Sequence, residues 1–546
     1  MQRLDEMKDI RVKFESDWTA VQQYVAPSVY SWSDRDAIPS APKRFASEPC
    51  KYMKTLVSGL IGYSISPSIK WFKLTLDSRE ALDRYGVKDW LEQCDQTAVD
   101  AFVRSNLYKE VSGFIEDAVV LGHGVMLIDE DLEENKIRYT HQRASEIYMD
   151  INGYGTVDTV FREYHLTLRQ LAKLYGPENL APVLRQDWEM KKNLGQKVNI
   201  VFAVYPREDY DEDAKDSKNM PWAAVTIDTM NQHVIQESGY KEFPYAVYEF
   251  KRVPGYPYSE SISKDAMPDI RFLNVAKETS LKIAQTSAEP PMKASSNLKN
   301  ISVVPKGLTL LDDPSDVIEP IKMGDNYPIT LEVLQDLKQT IKDWFQVDFF
   351  LMLEAAENKQ MTATEVMERQ GEKAAVLSDL IVSMNDALSQ IIKRTFDLLW
   401  DRGEIPPAPE SLGGSGAKMK IDFDGPLSQA QKKYYSTGTI TTALQAASPI
   451  MQMFPNAGDY IDADILMKKT LENTGMPESV IREDKDVEKI RQQRQQAELQ
   501  AQQAAQQQQM QENLMNNYDK LGTTPQNGSA IQQMNEQLSG ALGMGQ

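Results

Sequence analysis

Leu4, Met7, Phe14, Trp18, Val21 and Val25 recur at steps of three, four or seven, a spacing that predicts an amphipathic helix ending near Pro27. The period is lost over residues 28 to 50, where prolines gather, and helical spacing returns from Lys51 to Ile61 and from Val87 to Gly122. "GHGVML" at Gly122 then reads as a strand following a helix. From about Lys136 to Val253 the period shortens to two, with aromatic and β-branched residues in "KVNIVFAVYP", "WAAVTIDTM" and "YAVYEFKRV". With "NGYG" and "ESGY" as turns, this predicts an antiparallel sheet region.

Two helices come next, flanking a short extended stretch. The first, about 268 to 287, carries Leu273, Ala276, Ile283 and Ala284 on one side and stops before Pro290 and Pro291. The second starts after Pro328 with Thr330 as a cap and sets Leu334, Leu337, Ile341, Trp344 and Phe345 on one stripe. Between them "MKASSNLKNISVVPKGLTLLDD" is short-stranded and locally basic. A bare polar stretch, "EAAENKQ", then precedes "MTATEVMERQ", a helix start specified three ways: Thr362 as N-cap, Glu365 closing a capping box, and Met361 stapled to Val366. Helical spacing runs from there through Leu377, Met384, Leu388, Ile391 and Leu399, until Gly403, Pro406 and Pro407 end it. The predicted rod is about 60 Å long at 1.5 Å per residue, with Gly371 as its weak point.

From Ser428 to Ile490 the pattern stays helical with short breaks, and it passes into "RQQRQQAELQAQQAAQQQQMQENLM". Glutamine and alanine favour a helix but give no apolar stripe, so this segment is expected to be stable only where copies pack side by side; the alternative is a low-complexity tail. Beyond Asn516 the Gly, Asn, Gln and Ser content predicts disorder.

At 546 residues the chain exceeds one core, and two to four packed regions are expected. A net charge of -20 argues against a surface that wraps nucleic acid by neutralising phosphates, so contact with DNA should be brief or repulsive. Cys50 and Cys94 are too few for a disulfide framework or zinc site, suit a reducing compartment and read as small buried apolar residues. "MQRLDEMKDIRVKFESDW" is charged from its third residue, unlike a signal peptide, and "TLVSGLIGYSISPSI" is too short and too polar to anchor the chain in a membrane.

Enzyme chemistry finds no support. His123, His141, His165 and His233 have no ligand spacing and read as structural. Asp209, Asp211 and Asp213 imitate the start of a calcium loop, but the glycine at position six and glutamate at twelve are missing, which leaves a solvated hairpin. There is no GxxxxGK[ST] loop, GxSxG elbow or HExxH pair. No catalytic residue, metal or cofactor is therefore assigned. Two other readings stand: a metal-dependent hydrolase using carboxylates near Asp209 or Asp422, and a non-viral helical adaptor that self-associates through the glutamine segment.

Several segments, in order, carry a resemblance: "ESDWTAVQQYVAPS", "LVSGLIGYSISPSIKWFKL", "DAMPDIRFLNVAKETSLKIAQTSAEPPM", "MTATEVMERQGEK" with "IIKRTFDLLWDRGEIPPAP", and "IDFDGPLSQAQK". Over roughly residues 10 to 500 the chain resembles the bacteriophage portal proteins, the head-to-tail connectors of short-tailed (podovirus) phages. The resemblance implies an α+β, predominantly helical portal fold that assembles as a dodecameric ring at one capsid vertex, in the virion and in the host cytoplasm during assembly. It implies a wing (1–267), a first stem helix (268–287), a clip (288–328) and a second stem helix (329–352). A tunnel loop (353–361), a long wing helix with a following strand (362–427), a helical crown or barrel (428–515) and a disordered tail (516–546) complete the chain. Asn358, Lys359 and Gln360 would face DNA, and Lys293, Lys299 and Lys306 would mark the clip where terminase and later tail adaptor proteins dock. Capsid and scaffolding proteins, and double-stranded DNA passing through the channel, are the other implied partners; no membrane is.

Overall fold

The computed structural model describes residues 1–27, 44–131, 134–210, 216–288, 292–294, 318–320, 331–351, 378–413, 418–429, 447–448, 453, 462–473 and 484–521. In it the first helix, α1 (Gln2–Tyr24), buries Leu4, Met7, Trp18 and Val21 as the spacing predicts. It also buries Arg11, whose Nη1 donates to the Ile147 carbonyl and Nη2 to that of Ser145, both at 2.9 Å, with the guanidinium 4.4 Å from the Tyr148 ring centre. A charge on the buried stripe thus becomes the tie between this helix and the sheet.

After α2 (Glu48–Ser64), β1 (Phe72–Leu76) and the single turn α3 (Arg79–Leu82), the predicted helix from Val87 to Gly122 proves to be two, α4 (Val87–Arg104) and α5 (Leu107–Leu121). Ser105 and Asn106 break it. Ser105 Oγ donates back to the Phe102 carbonyl and accepts from the Leu107 amide, while the Asn106 amide group pairs with both backbone groups of Tyr139. Short polar side chains here outbid the helix for backbone partners. Gly122 closes α5 with φ of 95°, and a Cβ there would lie 2.2 Å from the Ser259 carbonyl oxygen, so only glycine fits the corner.

The strands follow: β2 (His123–Asp131), β3 (Lys136–Gln142), β4 (Ile147–Ile151), β5 (Val157–Thr167), then helices α6 (Leu168–Tyr175) and α7 (Pro182–Glu189). After them come β6 (Lys197–Pro206), β7 (Trp222–Asp228), β8 (His233–Tyr240), β9 (Tyr245–Glu249) and the short β10 (Lys251–Arg252) and β11 (Ser259–Glu260). They form a three-stranded sheet, β3-β2-β9, and a five-stranded antiparallel meander, β4-β5-β6-β7-β8, while β10 and β11 pair with each other. "ESGY" is not a turn. It lies inside β8, where Gly239 packs against the Ser217 and Trp222 carbonyls. The turn into β8 falls at residues 229–232 instead, held by Asp228 Oδ1 accepting from the Met230 and Asn231 amides.

The chain then passes through the short α8 (Ile262–Asp265) into α9 (Met267–Ala288), β12 (Met292–Ala294), β13 (Ile318–Pro320) and α10 (Leu331–Trp344). Helix α11 (Ser378–Asp401) covers the open edge of β9, where the Gln390 side chain accepts from the Val247 amide at 2.9 Å and donates to its carbonyl. It ends at Gly403, as the sequence predicts, and β14 (Met419–Phe423) pairs with β1. The predicted start of the long rod, Thr362 with Glu365, lies outside the described residues.

Residues 447–546 are a separate compact unit. There α12 (Ala463–Asn473) and α13 (Asp484–Leu521) are joined by Asp464 and Arg491, whose carboxylate and guanidinium meet through two hydrogen bonds at 2.6 and 2.5 Å. The glutamine segment is a helix, and it runs past Asn516, where disorder was expected, to Leu521. Leu499 and Met510 stand exposed on it, as a helix with no apolar stripe requires.

Among the described residues no helix is long and apolar enough to cross a membrane, and no three His, Cys, Asp or Glu side chains gather as a metal site. Asp209 is exposed, and Asp422 sits opposite Lys73 in the β1–β14 ladder.

Candidate functional site

The feature that stands out is an excursion of the chain through α9, a two-stranded ribbon and α10. Strands β12 and β13 pair antiparallel, with Lys293 opposite Glu319, so the chain goes out along one helix, reverses through the ribbon and returns along the other. The 22 residues of α9 amount to about 33 Å. Its first half is sequestered, with Ile270, Leu273 and Ala276 fully buried, and its second half is not: Leu281 is exposed, and so is Ile283 despite its place on the predicted apolar side.

Polar ties fix the base of the excursion. Asn274 Oδ1 accepts from the Phe45 and Ala46 amides, at 2.9 and 3.2 Å. Lys277 Nζ donates to both carboxylate oxygens of Glu48 at 2.6 Å, and Lys338 on α10 approaches the same carboxylate at 3.5 Å. One carboxylate at the start of α2 therefore holds both excursion helices. Trp344 departs from the predicted stripe: it is 38% exposed and donates from Nε1 to Asp269 Oδ2 at 3.0 Å, tying the end of α10 to the start of α9. Immediately after, Gln346 turns the backbone with φ of 51°, and Val347, Phe349 and Phe350 are buried again.

Burial alone would raise the Glu48 carboxyl, but the hydrogen bonds from Lys277 and the charges of Lys277 and Lys338 outweigh it and hold it below the ordinary value of 4.5. A carboxyl that ionises more readily in the folded state stabilises the fold fully above pH 4.5 and loses that contribution as the pH falls through the lowered value. Glu48→Gln should accordingly melt below the parent at neutral pH, with the gap in melting temperature narrowing at about pH 3. A gap that is constant across pH would place the stabilisation elsewhere.

The description that matches the chain, over residues 1–481, is that of a bacteriophage head to tail connecting protein. The chain belongs to that family. Among its relatives are the portal protein of Salmonella phage epsilon15, 27% identical over 507 residues, and the probable portal protein of Bordetella phage BPP-1, 26% identical over 506. Each match covers 90% of this chain and 90% of the relative. A solved structure, the neck of an empty GTA particle computed with C6 symmetry, overlaps 69% of this chain and 81% of its own at 11% identity and a TM-score of 0.34, too distant to fix any element here.

For this head-to-tail connecting protein, the structure places one of the six residues proposed for DNA contact or docking: Lys293, exposed on β12. Lys299, Lys306, Asn358, Lys359 and Gln360 lie outside the described residues. The histidines are held structurally where a partner is seen. His141 Nε2 meets Asp117 Oδ2 at 2.8 Å, His233 Nε2 meets the Asn179 carbonyl at 3.0 Å, and His123 is buried beside Trp18 and Tyr258. His165 is exposed on β5. Cys94 is buried and Cys50 half-buried. The Glu48 clamp escaped the sequence reading, because Glu48 and Lys277 stand 229 residues apart and no local pattern joins them.

Proposed function

We propose that this chain is the portal protein of a tailed phage, the subunit of a ring at one capsid vertex through which DNA enters during packaging and leaves at ejection. The observation that carries this is the family match over residues 1–481, with two portal relatives colinear over nine-tenths of both partners. The excursion of α9, ribbon and α10 suits such a subunit, since a helix half bare of cover has a natural partner in the next copy of a closed ring. In this reading residues 1–267 with 362–427 make the wing, 268–287 and 329–352 the stem, 288–328 the clip and 428–515 the crown, and the ring has twelve copies. Residues 353–361 form the tunnel loop.

The surface charge fits passage. A chain of net charge -20 cannot hold a duplex by extensive counterion release, so DNA slides past walls that mostly repel it. The energy comes from a separate terminase motor docked at the clip, which tail adaptor proteins later replace, and capsid and scaffolding proteins surround the wing. The protein itself is structural and hydrolyses nothing. Native mass measurement of the purified chain should give closed rings, most often of twelve, with no ATP turnover. Monomers or dimers alone across salt and concentration would overturn the ring, and hydrolysis that follows the protein through purification would overturn the structural role.

A further inference from the structure

Beside α2, where Phe350 and Leu351 follow α10, lies a cavity of about 700 Å³. Its described wall is cationic, with Arg44 just ahead of α2 and Lys51 and Lys54 one turn apart on it, and it includes no carboxylate. In a chain with twenty more acids than bases this is an unusual surface. None of the three cations is in an ion pair among the described residues, and Arg44 Nη1 is buried without a hydrogen-bond acceptor. Glu48, the acid beside them in sequence, is engaged by Lys277 and Lys338. Glu116 on α5 feels the charge of Lys54 but makes no ion pair with it.

Three cations around one cavity repel one another, and an anion there relieves the repulsion. The remaining wall is aromatic: Tyr63 and Phe350 stack with centres 6.2 Å apart, and Phe350 lies so close over Gly59 that a Cβ there would be 2.3 Å from its ring. A guanidinium with two ammonium groups gives enough donors and charge to engage the several oxygens of a phosphate.

We infer that this groove binds phosphate groups, and that in the assembled ring the phosphates are those of the duplex in the channel. The second half rests on the portal reading, in which residues 353–361, just beyond Leu351, face the DNA. Three contacts give an attachment that salt weakens steeply, with a slope of about −2.7 in log K against log salt, enough to touch a sliding duplex and too little to stop it. Free phosphate shares the chemistry and must be told apart from DNA.

Cys50 lines the same wall and serves as the probe, because Cys94, the other cysteine, is buried with its thiol pushed up to about 11 by that burial. On intact full-length rings, Cys50 should react faster with a dianionic aromatic disulfide than with a neutral maleimide. A short duplex should protect it at low salt, and rising salt should remove the protection. Lys51→Gln with Lys54→Gln should weaken the protection by about tenfold or more while leaving the melting temperature and ring mass unchanged, which shows that the wall still folds. Equal protection of parent and variant overturns the site. Protection by inorganic phosphate but not by the duplex overturns the DNA assignment. A Cys50 that reacts in dissociated subunits and not in rings shows the groove covered by a second copy, and overturns the proposal too. Loss of rings by native mass speaks against the portal reading, whereas intact rings without protection speak only against the groove.

Discussion

Replacing Phe349 with alanine is expected to lower the stability of the 1–446 unit by about 3 to 5 kcal/mol, as for a large aromatic removed from a filled core. Phe349 is fully buried, and its ring meets that of Phe350 edge-on at 5.1 Å. Phe350 in turn stacks on Tyr63 and fills the space that Gly59 leaves on α2. These two rings follow directly on the backbone reversal at Gln346, so they pin the returning arm of the excursion to the N-terminal helices. Leu351, next in line but 46% exposed, is the control, and Leu351→Ala should cost far less. Thermal unfolding of the three proteins, compared at the first transition, checks the difference. Equal losses for the two substitutions would mean that the excursion is held mainly by its polar ties at Glu48, Asn274 and Asp269.

How far the fold was legible depends on whether a segment's period was set by one neighbour. The first helix, the first half of α9 and the end of α11 at Gly403 follow from spacing and punctuation, because each buries a single face against one surface, whereas Ile283 on α9 and Trp344 on α10 sit on predicted stripes and are exposed. Where backbone and side chain compete, spacing misleads: Leu107 keeps the helical period of α4 while Ser105 and Asn106 take the backbone out of it. Helices α6 and α7 were hidden inside a stretch read as strands. Their signals were present, since Thr167 and Gln170 form a capping box and Pro182 opens α7. "ESGY" misled in the opposite sense, because Gly239 is needed for close packing within a strand, which composition cannot distinguish from a turn.

The family was legible because its segments occur in order over most of the chain, each too weak to identify it alone. The site was less so. Lys293 could be marked by charge, but the Glu48 clamp and the cationic groove depend on which acid each base meets, a property of tertiary pairing. Lys51 and Lys54 look like an ordinary solvated helix face until Glu48 is found to be already engaged by Lys277 and Lys338.

On the proposed portal reading, the largest functional effect is expected from residues 353–361, the proposed tunnel loop. Deleting Glu357 to Gln360 should leave the proposed rings intact, because a polar stretch ahead of the capping box that the sequence predicts is expected to contribute little to packing, yet packaging or retention of DNA should be impaired. Thr362→Ala should act differently. By the sequence reading of Thr362 as an N-cap, it would remove the cap's acceptor, cost about 0.5 to 2 kcal/mol per subunit, and loosen the proposed loop without shortening it. The deletion therefore tests contact with DNA and the substitution tests the scaffold that aims it. Packaging assays with assembled rings should show a strong defect for the deletion and a milder one, growing with temperature, for the substitution. If the deletion packages and retains DNA like the parent while Thr362→Ala is also silent, residues 353–361 do not face the channel, and the DNA-facing role of Asn358, Lys359 and Gln360 falls with them.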